Sequence, residues 1–473
     1  MRILLVKPYP VLETIRKVHH LIMLEPLEFG YLAASVAPCH DISVLDLRIV
    51  RCPEQKFVQR LRSYRPDLVG ISGYTHEAAQ VKHLARIVRK MLPHAKIVVG
   101  GPHATVLPSD YNLDCFDAIV RGEGCAPFRA VTEAAVDGGD FSGIENVLVP
   151  GENFDRATAE LPLYPDLASL PSPRRDLWDP RHYFCIWPSE KHPDWQSIFP
   201  AVSLVRTSFG CLMECSFCVV PRLCGRKHLA RDPEAVASEI ASLANEHVYF
   251  CDDETFIDTA HASRLAEAIK KRGVRKRYFA WARSTTVNRA HDLFELWRGI
   301  GLDTVFLGFE AASDEQLKAL VKHSSVSENE RAHTTLHNIG IAVQAGFMVE
   351  PDFTNDDFDK LELYIKNMPP AQVTLTVFAP SPGSPAWYSQ KDTFVADPIA
   401  LHDCMHPLTK TALPLKDFYK RFSSLVWSGS VKSPLRSKAN KIKPLDIVRV
   451  WGAAWGYKQV LKRAWRDFPM HMW

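Results

Sequence analysis

Long hydrophobic runs are missing from this chain. Nothing in its 473 residues approaches the roughly 18 consecutive apolar positions of a membrane-spanning helix. The first apolar stretch, Ile3-Leu4-Leu5-Val6, is too short for the hydrophobic region of a signal peptide. A dominant charge is missing as well. The 57 Lys+Arg and 54 Asp+Glu leave a net +3, and neither this balance nor a recognisable module argues for nucleic acid. No internal repeat with a period of about 20–50 residues is present, which excludes solenoids and propellers. With 46% apolar and 23% charged residues, the composition is that of a globular chain, not a disordered or collagenous one. These features predict a cytoplasmic protein of about three domains at roughly 150 residues each. Its 11 cysteines then serve as metal ligands or free thiols rather than as a disulfide framework.

What is present begins with an alternation of β-rich runs and helical stretches. The runs are Ile3–Val6, Ile42–Leu45, Leu68–Ser72, Ile97–Val99 and Ala118–Val120. Between them lie Leu27–Val36, Glu54–Tyr64, Ala78–Met91 and Ala126–Ala135, with apolar residues near helical spacing. Five strands alternating with helices predict a parallel sheet covered on both faces, of the doubly wound or flavodoxin-like kind. Ligands sit beyond the carboxyl ends of such strands. Those ends carry Ser72-Gly73-Tyr74-Thr75, Gly100-Gly101-Pro102-His103-Ala104-Thr105 and Gly122-Glu123-Gly124.

Residues 150–195 break the rhythm with eight prolines (150, 162, 165, 171, 173, 180, 188 and 193) and with Trp178, Trp187 and Trp195. That is the pattern of an extended connector anchored on a surface by aromatics. From residue 200 to 400 the alternation returns, with strand candidates Ala201–Val205, His247–Cys251, Tyr278–Ala282, Thr304–Phe309, Ile341–Met348 and Gln372–Phe378. Six strands over this length predict a curved parallel sheet or partial (β/α) barrel, whose working groups gather at strand C-termini. Residues 410–473 differ again, with 14 Lys+Arg against 3 Asp+Glu and five of the 11 tryptophans.

Cys211-Leu212-Met213-Glu214-Cys215-Ser216-Phe217-Cys218 is the strongest signal. Three thiolates on one short loop suit a cubane iron–sulfur cluster held by cysteine sulfur. Three ligands for four irons leave one iron open to a substrate or cofactor. Zinc is the alternative, with Cys224 and His228 as candidates for a fourth ligand.

Cys211, Cys215 and Cys218 resemble the motif of the radical S-adenosylmethionine (SAM) enzymes, and the likeness continues along the chain. Tyr249-Phe250-Cys251-Asp252-Asp253-Glu254 looks like that family's second strand, and Trp281-Ala282-Arg283 like its third. Gly308-Phe309-Glu310-Ala311-Ala312-Ser313 resembles the fourth, and Pro380-Ser381-Pro382-Gly383-Ser384-Pro385 the turn after the sixth. The resemblance implies that Cys211, Cys215 and Cys218 hold a 4Fe–4S cluster. It implies that Phe217, Asp252, Asp253, Glu254, Arg283 and Glu310 contact SAM. In this family the reduced cluster cleaves SAM to methionine and a 5′-deoxyadenosyl radical, which takes a hydrogen atom from an unactivated carbon.

The first sheet resembles the cobalamin-binding domain of the cobalamin-dependent subgroup. Ser72, Gly73, Tyr74, Thr75, Gly100, Gly101, His103, Thr105, Gly122 and Glu123 stand where that domain lines its cofactor. No D-x-H occurs in residues 1–150, so cobalt would lack the histidine that such a motif supplies; His76 and His103 stay open as ligands. The expected architecture is α/β throughout. A flavodoxin-like cobalamin-binding domain (1–145) is followed by a Pro/Trp-rich linker (146–196), a partial (β/α)6 TIM-like radical SAM barrel (197–400) and a small, basic, Trp-rich helical extension (401–473).

Bound cobalamin favours methyl transfer from SAM through methylcobalamin to an unactivated carbon. A tetrapyrrole-type oxidoreductase or cyclase is the alternative, and a non-enzymatic corrin or iron–sulfur sensor a third reading. Leu24-Glu25-Pro26-Leu27 and Leu413-Pro414-Leu415-Lys416-Asp417-Phe418-Tyr419 are similar to strings in hopanoid methylases acting on carbon 3, which implies an apolar, lipid substrate. The implied partners are that substrate and a reducing donor such as flavodoxin or ferredoxin, with no nucleic acid. Ile447–Trp465 reads as a helix interleaving aromatics with cations, suited either to an anionic membrane surface at the inner face or to packing on the barrel.

Overall fold

The structure, a computed structural model, describes residues 1–151, 154, 167, 170–187, 197–431 and 443–469. Pro162, Pro165, Pro188, Pro193, Trp195 and Trp473, singled out above, lie outside the described residues.

Two six-stranded sheets organise the chain. The first holds β1 (Arg2–Lys7), β2 (Asp41–Asp46), β3 (Leu68–Ser72), β4 (Lys96–Gly100), β5 (Ala118–Val120) and β6 (Val147–Leu148). Its order is β2-β1-β3-β4-β5-β6. The first five strands run parallel in the flavodoxin-like order, and β6 is antiparallel. The five expected runs are the five parallel strands. β1 shows why they were legible: Ile3, Leu4, Leu5 and Val6 are all fully buried, because helices cover both faces of the sheet. Each face has its own apolar core, one around Val6, Phe57 and Leu84 and the other around Leu5, Phe29 and Phe128.

The second sheet holds β7 (Val202–Val205), β8 (His247–Phe250), β9 (Arg277–Ala282), β10 (Leu302–Glu310), β11 (Ala342–Val349) and β12 (Gln372–Val377). All pairs are parallel and follow chain order, β12-β11-β10-β9-β8-β7, so the sheet curves as a six-stranded partial barrel. Alternate residues such as Val248, Phe250, Ala280, Val305 and Leu307 pack under the outer helices. The helices Leu415–Val431 and Pro444–Leu461 extend that core with Phe418, Phe422, Tyr457 and Leu461. The extension is thus helical, as expected. No helix among the described residues is long and apolar enough to cross a membrane.

The opposite side of the barrel sheet faces the first unit. Val202, Leu204, Tyr249 and Phe279 share an apolar cluster with Leu27, Tyr31 and Cys125, closed by the fully buried Trp187 of the connector. Buried Glu25 sits at this junction. It accepts the Leu204 N–H of β7 at 2.7 Å, the Trp178 Nε1–H at 2.9 Å, and the guanidinium of Arg175. Glu25→Ala removes one of the two carboxylates on Arg175 and leaves the Leu204 and Trp178 N–H groups without their acceptor, and should lower the free energy of unfolding by about 3–5 kcal/mol in urea denaturation.

Candidate functional site

The cysteine loop hangs from two carboxylates at the end of β8. Asp252 is buried and accepts from Thr207 N (2.7 Å), Thr207 Oγ1 (2.7 Å) and Ser208 N (3.0 Å). Asp253 accepts the Gly210 N–H at 2.8 Å. Gly210 has φ +96, and a Cβ there would lie 2.1 Å from the Lys227 carbonyl oxygen, so only glycine fits. At the far side Ser216 donates its N–H to Leu320 O (3.0 Å) and accepts from Ala386 N (2.9 Å). Phe217 packs against Leu320, Phe378 and Ala386.

Cys211, Cys215 and Cys218 are free thiols at least partly buried. Burial raises the Cys211 thiol and pushes Cys218 up to about 12, so thiolates at these two positions need a cationic partner. Tetrahedral zinc with Zn–S near 2.3 Å requires sulfurs about 3.8 Å apart. Among the described residues only exposed His291, Asp292 and Glu295 bring three such ligand atoms within 4.8 Å. The three cysteines are therefore not gathered for one zinc ion, nor do Cys224 and His228 complete such a site. Cys224 is instead buried beneath Gly210. Three thiols spaced around a loop fit a multi-iron cluster.

Beside the loop lies a buried charge cluster. Arg283, at the end of β9, donates to Cys215 Sγ at 3.5 Å and to the Lys322 carbonyl. Its Nε has no partner. Glu254 accepts the Arg283 N–H at 3.4 Å while its Oε2 is buried without a partner, and burial pushes its pKa up to about 7. Buried polar atoms without partners, one an acceptor and one a donor, are groups that a bound zwitterion would satisfy. Glu310 differs from the expectation. Its Oε1 is 2.6 Å from Lys322 Nζ, so it is already paired. Sequence reasoning missed Lys322, which is buried although a lone lysine after a helix reads as solvated.

The three glycine turns of the first sheet converge. A Cβ on Gly101, at φ +99, would lie 2.8 Å from Ser72 Oγ and 3.1 Å from Gly73 O. Thr105 Oγ1 donates to Gly101 O and accepts from Gly122 N, both at 3.0 Å. Glu123 caps the next helix through Cys125 N, Glu77 caps Tyr74 N, and the Tyr74 ring is half exposed. His103 does not present itself as a cobalt ligand. It is fully buried, with Nε2 2.9 Å from Asp110 Oδ2 and Nδ1 3.3 Å from Thr75 Oγ1. His76 is partly buried and stacks with Tyr74.

These turns meet the cysteine loop. The helix Pro102–Val106 contacts the helix Val220–Leu223, which follows the three cysteines. A Cβ on Gly383, after β12, would lie 3.2 Å from Arg222 Cγ and 3.4 Å from Val106 Cβ. The carboxyl ends of both sheets therefore border one seam.

The chain matches the B12 binding domain over residues 23–132 and the Radical SAM superfamily over residues 205–365. It is 28% identical over 425 residues to the hopanoid C-3 methylase of Methylococcus capsulatus, covering 89% of this chain and 78% of that one. It is 25% identical over 384 residues to the anaerobic magnesium-protoporphyrin IX monomethyl ester cyclase of Cereibacter sphaeroides, covering 78% and 60%. Among solved structures, OxsB, a cobalamin-dependent SAM radical enzyme with aqua-cobalamin and SAM bound, aligns with a TM-score of 0.69 at 14% identity. That alignment covers 98% of this chain and 72% of that one. The chain thus carries, in order, the two domains that are joined in cobalamin-dependent radical SAM enzymes. The cofactors that go with these two domains are a 4Fe–4S cluster, SAM and cobalamin. Replacing Cys211, Cys215 or Cys218 with Ala should abolish the visible iron–sulfur absorbance of anaerobically purified protein, whereas Cys224→Ala should keep it.

Proposed function

We propose that this enzyme methylates an unactivated carbon of an apolar lipid, with hopanoids the class favoured by its likeness to a hopanoid C-3 methylase. The observation that carries the reading is the seam: Gly383 lies between Val106 of the first unit and Arg222, which follows the cysteine loop. Groups held at the two sets of strand ends then share one space. When bound, the cluster supplies one-electron cleavage of SAM and cobalamin a carrier for its methyl group.

The chain's own residues bind, orient and exclude water. Cys211, Cys215 and Cys218 would hold the cluster's iron through sulfur. Phe217, between the last two, would shield it from water. Arg283 takes the methionyl carboxylate and Glu254 the ammonium, each through its orphaned atom. Asp252 and Asp253 act on the loop rather than the ligand, since their oxygens hold its backbone. Glu310 acts through Lys322. Ser72, Gly73, Thr75, Gly100, Gly101, Thr105, Gly122 and Glu123 shape the corrin cradle, and Tyr74 its exposed edge. Trp281 and Phe306, 4.3 Å apart and partly buried on the inner side of the barrel sheet, give the substrate an apolar wall. A donor of flavodoxin or ferredoxin type, and peripheral contact of the C-terminal extension with a membrane, belong to the same reading.

With methyl-labelled SAM, the reduced enzyme should place one label in product for each 5′-deoxyadenosine formed; 5′-deoxyadenosine without label transfer would select a cyclase or oxidoreductase instead. Because Glu254 must be ionised to hold an ammonium, SAM affinity should fall as pH drops through 7. Glu254→Gln should weaken SAM binding about tenfold and flatten that dependence in equilibrium binding.

A further inference from the structure

The helix Pro444–Leu461 is apolar on both sides, but only one side is covered. Its inner side buries Tyr457, Val460 and Leu461, and it packs against Leu415–Val431 and Glu13–Val18. Outward, Leu445, Val448 and Trp455 are 82%, 69% and 60% exposed, and Ile447 is exposed as well. Trp451, half exposed, leans on Trp427 with ring centroids 5.4 Å apart. At about 100° per residue these five side chains share an arc of roughly 160°. A helix apolar all round is normally buried. Of the 13 large hydrophobics exposed among the described residues, five lie on this one helix.

Charge says what the face suits. Along the edge of the arc, next to the helix Glu13–Val18, runs a groove of about 390 Å³ walled by Lys17, His20 and Arg449. The Arg449 guanidinium sits over the rings of Phe184 (4.6 Å) and Phe199 (3.9 Å), which fixes its charge at the groove wall. Lys443, Lys462, Arg463 and Arg466 are exposed around the same helix. Two carboxylates of this segment turn elsewhere, Asp446 accepting the Ile198 N–H at 3.2 Å and Asp467 lying 3.1 Å from His406 Nε2, while exposed Glu13 stands one turn before Lys17. The outward arc itself carries no acidic residue.

We propose that this face docks on an anionic lipid bilayer, with the arc Leu445, Ile447, Val448, Trp451 and Trp455 entering the headgroup boundary and the cationic groove receiving lipid phosphate. The inference rests on the membrane contact proposed above and names its element and its headgroup chemistry. Docking of this kind brings the enzyme to the surface that holds an apolar substrate without requiring a spanning helix.

The test is sedimentation of the full chain with phosphatidylcholine vesicles, with and without phosphatidylglycerol. The wild type should bind the anionic vesicles, with a blue shift of tryptophan emission, and bind neutral ones weakly. Val448→Glu with Trp455→Glu should lower anionic binding about tenfold or more, and Lys17→Glu about fivefold. Both variants should keep iron–sulfur absorbance and turnover of detergent-dispersed substrate, which separates lost docking from lost folding. Absence of anionic binding, or equal binding by wild type and variants, overturns the proposal. So does a concentration-dependent dimer that the double variant abolishes while vesicles stay unbound, since a second copy then covers the face. Vesicle binding by an enzyme that methylates no lipid supports docking and overturns only the substrate reading.

Discussion

A chain of buried charges sets how the two sheets face each other. Glu25 accepts from β7 and from the connector residues Arg175 and Trp178. Arg175 also reaches Glu239 at 2.7 Å, and Glu239 in turn lies 2.8 Å from Arg231, which donates to Tyr31 Oη at 3.1 Å. Signs alternate along this path from the first unit, through the connector, to Arg231 and Glu239, which lie between the cysteine loop and β8. Buried ions are costly unless paired on every side, so the network tolerates one relative placement of these elements and penalises others. Apolar contact between Leu27, Tyr31 and Phe279 supplies area, but area alone does not fix an angle.

The same economy of charge operates at the site. Three non-glycine residues near it take left-handed backbone: Glu310 at φ +64, Val321 at +52 and His323 at +51. For a β-branched residue such as Val321 this is a strained state that the surroundings must hold. They do so through Lys322, whose ammonium pairs with Glu310 and whose carbonyl accepts from Arg283. Gly308 is part of the device, because a Cβ there would lie 2.2 Å from Glu310 Oε1 and 2.8 Å from Lys322 Nζ. Strain in one turn is thereby traded for a guanidinium held at both ends beside Cys215.

Much of this was legible in residues. Parallel strands buried on both faces read as continuous apolar runs, which is why Ile3–Val6 and its four counterparts stood out; β6, two residues long and antiparallel, carries no such run. The cysteine spacing announced its chemistry because no packing role demands three thiols on one loop. Side-chain pairing was less visible. His103 sits on a glycine turn and reads as a ligand, yet Asp110 seven residues later occupies it; that nearby carboxylate was the available signal. Asp252 and Glu310 are carboxylates at strand ends, and sequence alone does not say whether such a group meets a ligand, a backbone N–H or a buried lysine. Lys322 is the sharpest case, since its burial depends on Glu310 across a turn.

The shape of the barrel bears on what it can hold. In a closed eight-stranded barrel, layers of side chains from alternate strands fill the interior. Six strands leave that side to be covered by other elements: Tyr249 and Phe279 are buried against the first unit, whereas Trp281 and Phe306 are only partly buried. Trp281 and Phe306 lie close together there, and Gly346 makes room for them: a Cβ at that position would come 2.5 Å from Phe306. Met348, two residues on, packs with Phe217 between two of the cysteines. Apolar side chains are thus found both at the middle of the sheet and beside the cysteine loop. Such aromatic surface loses free energy to water unless something apolar covers it, and that cover is what the proposed lipid substrate would supply.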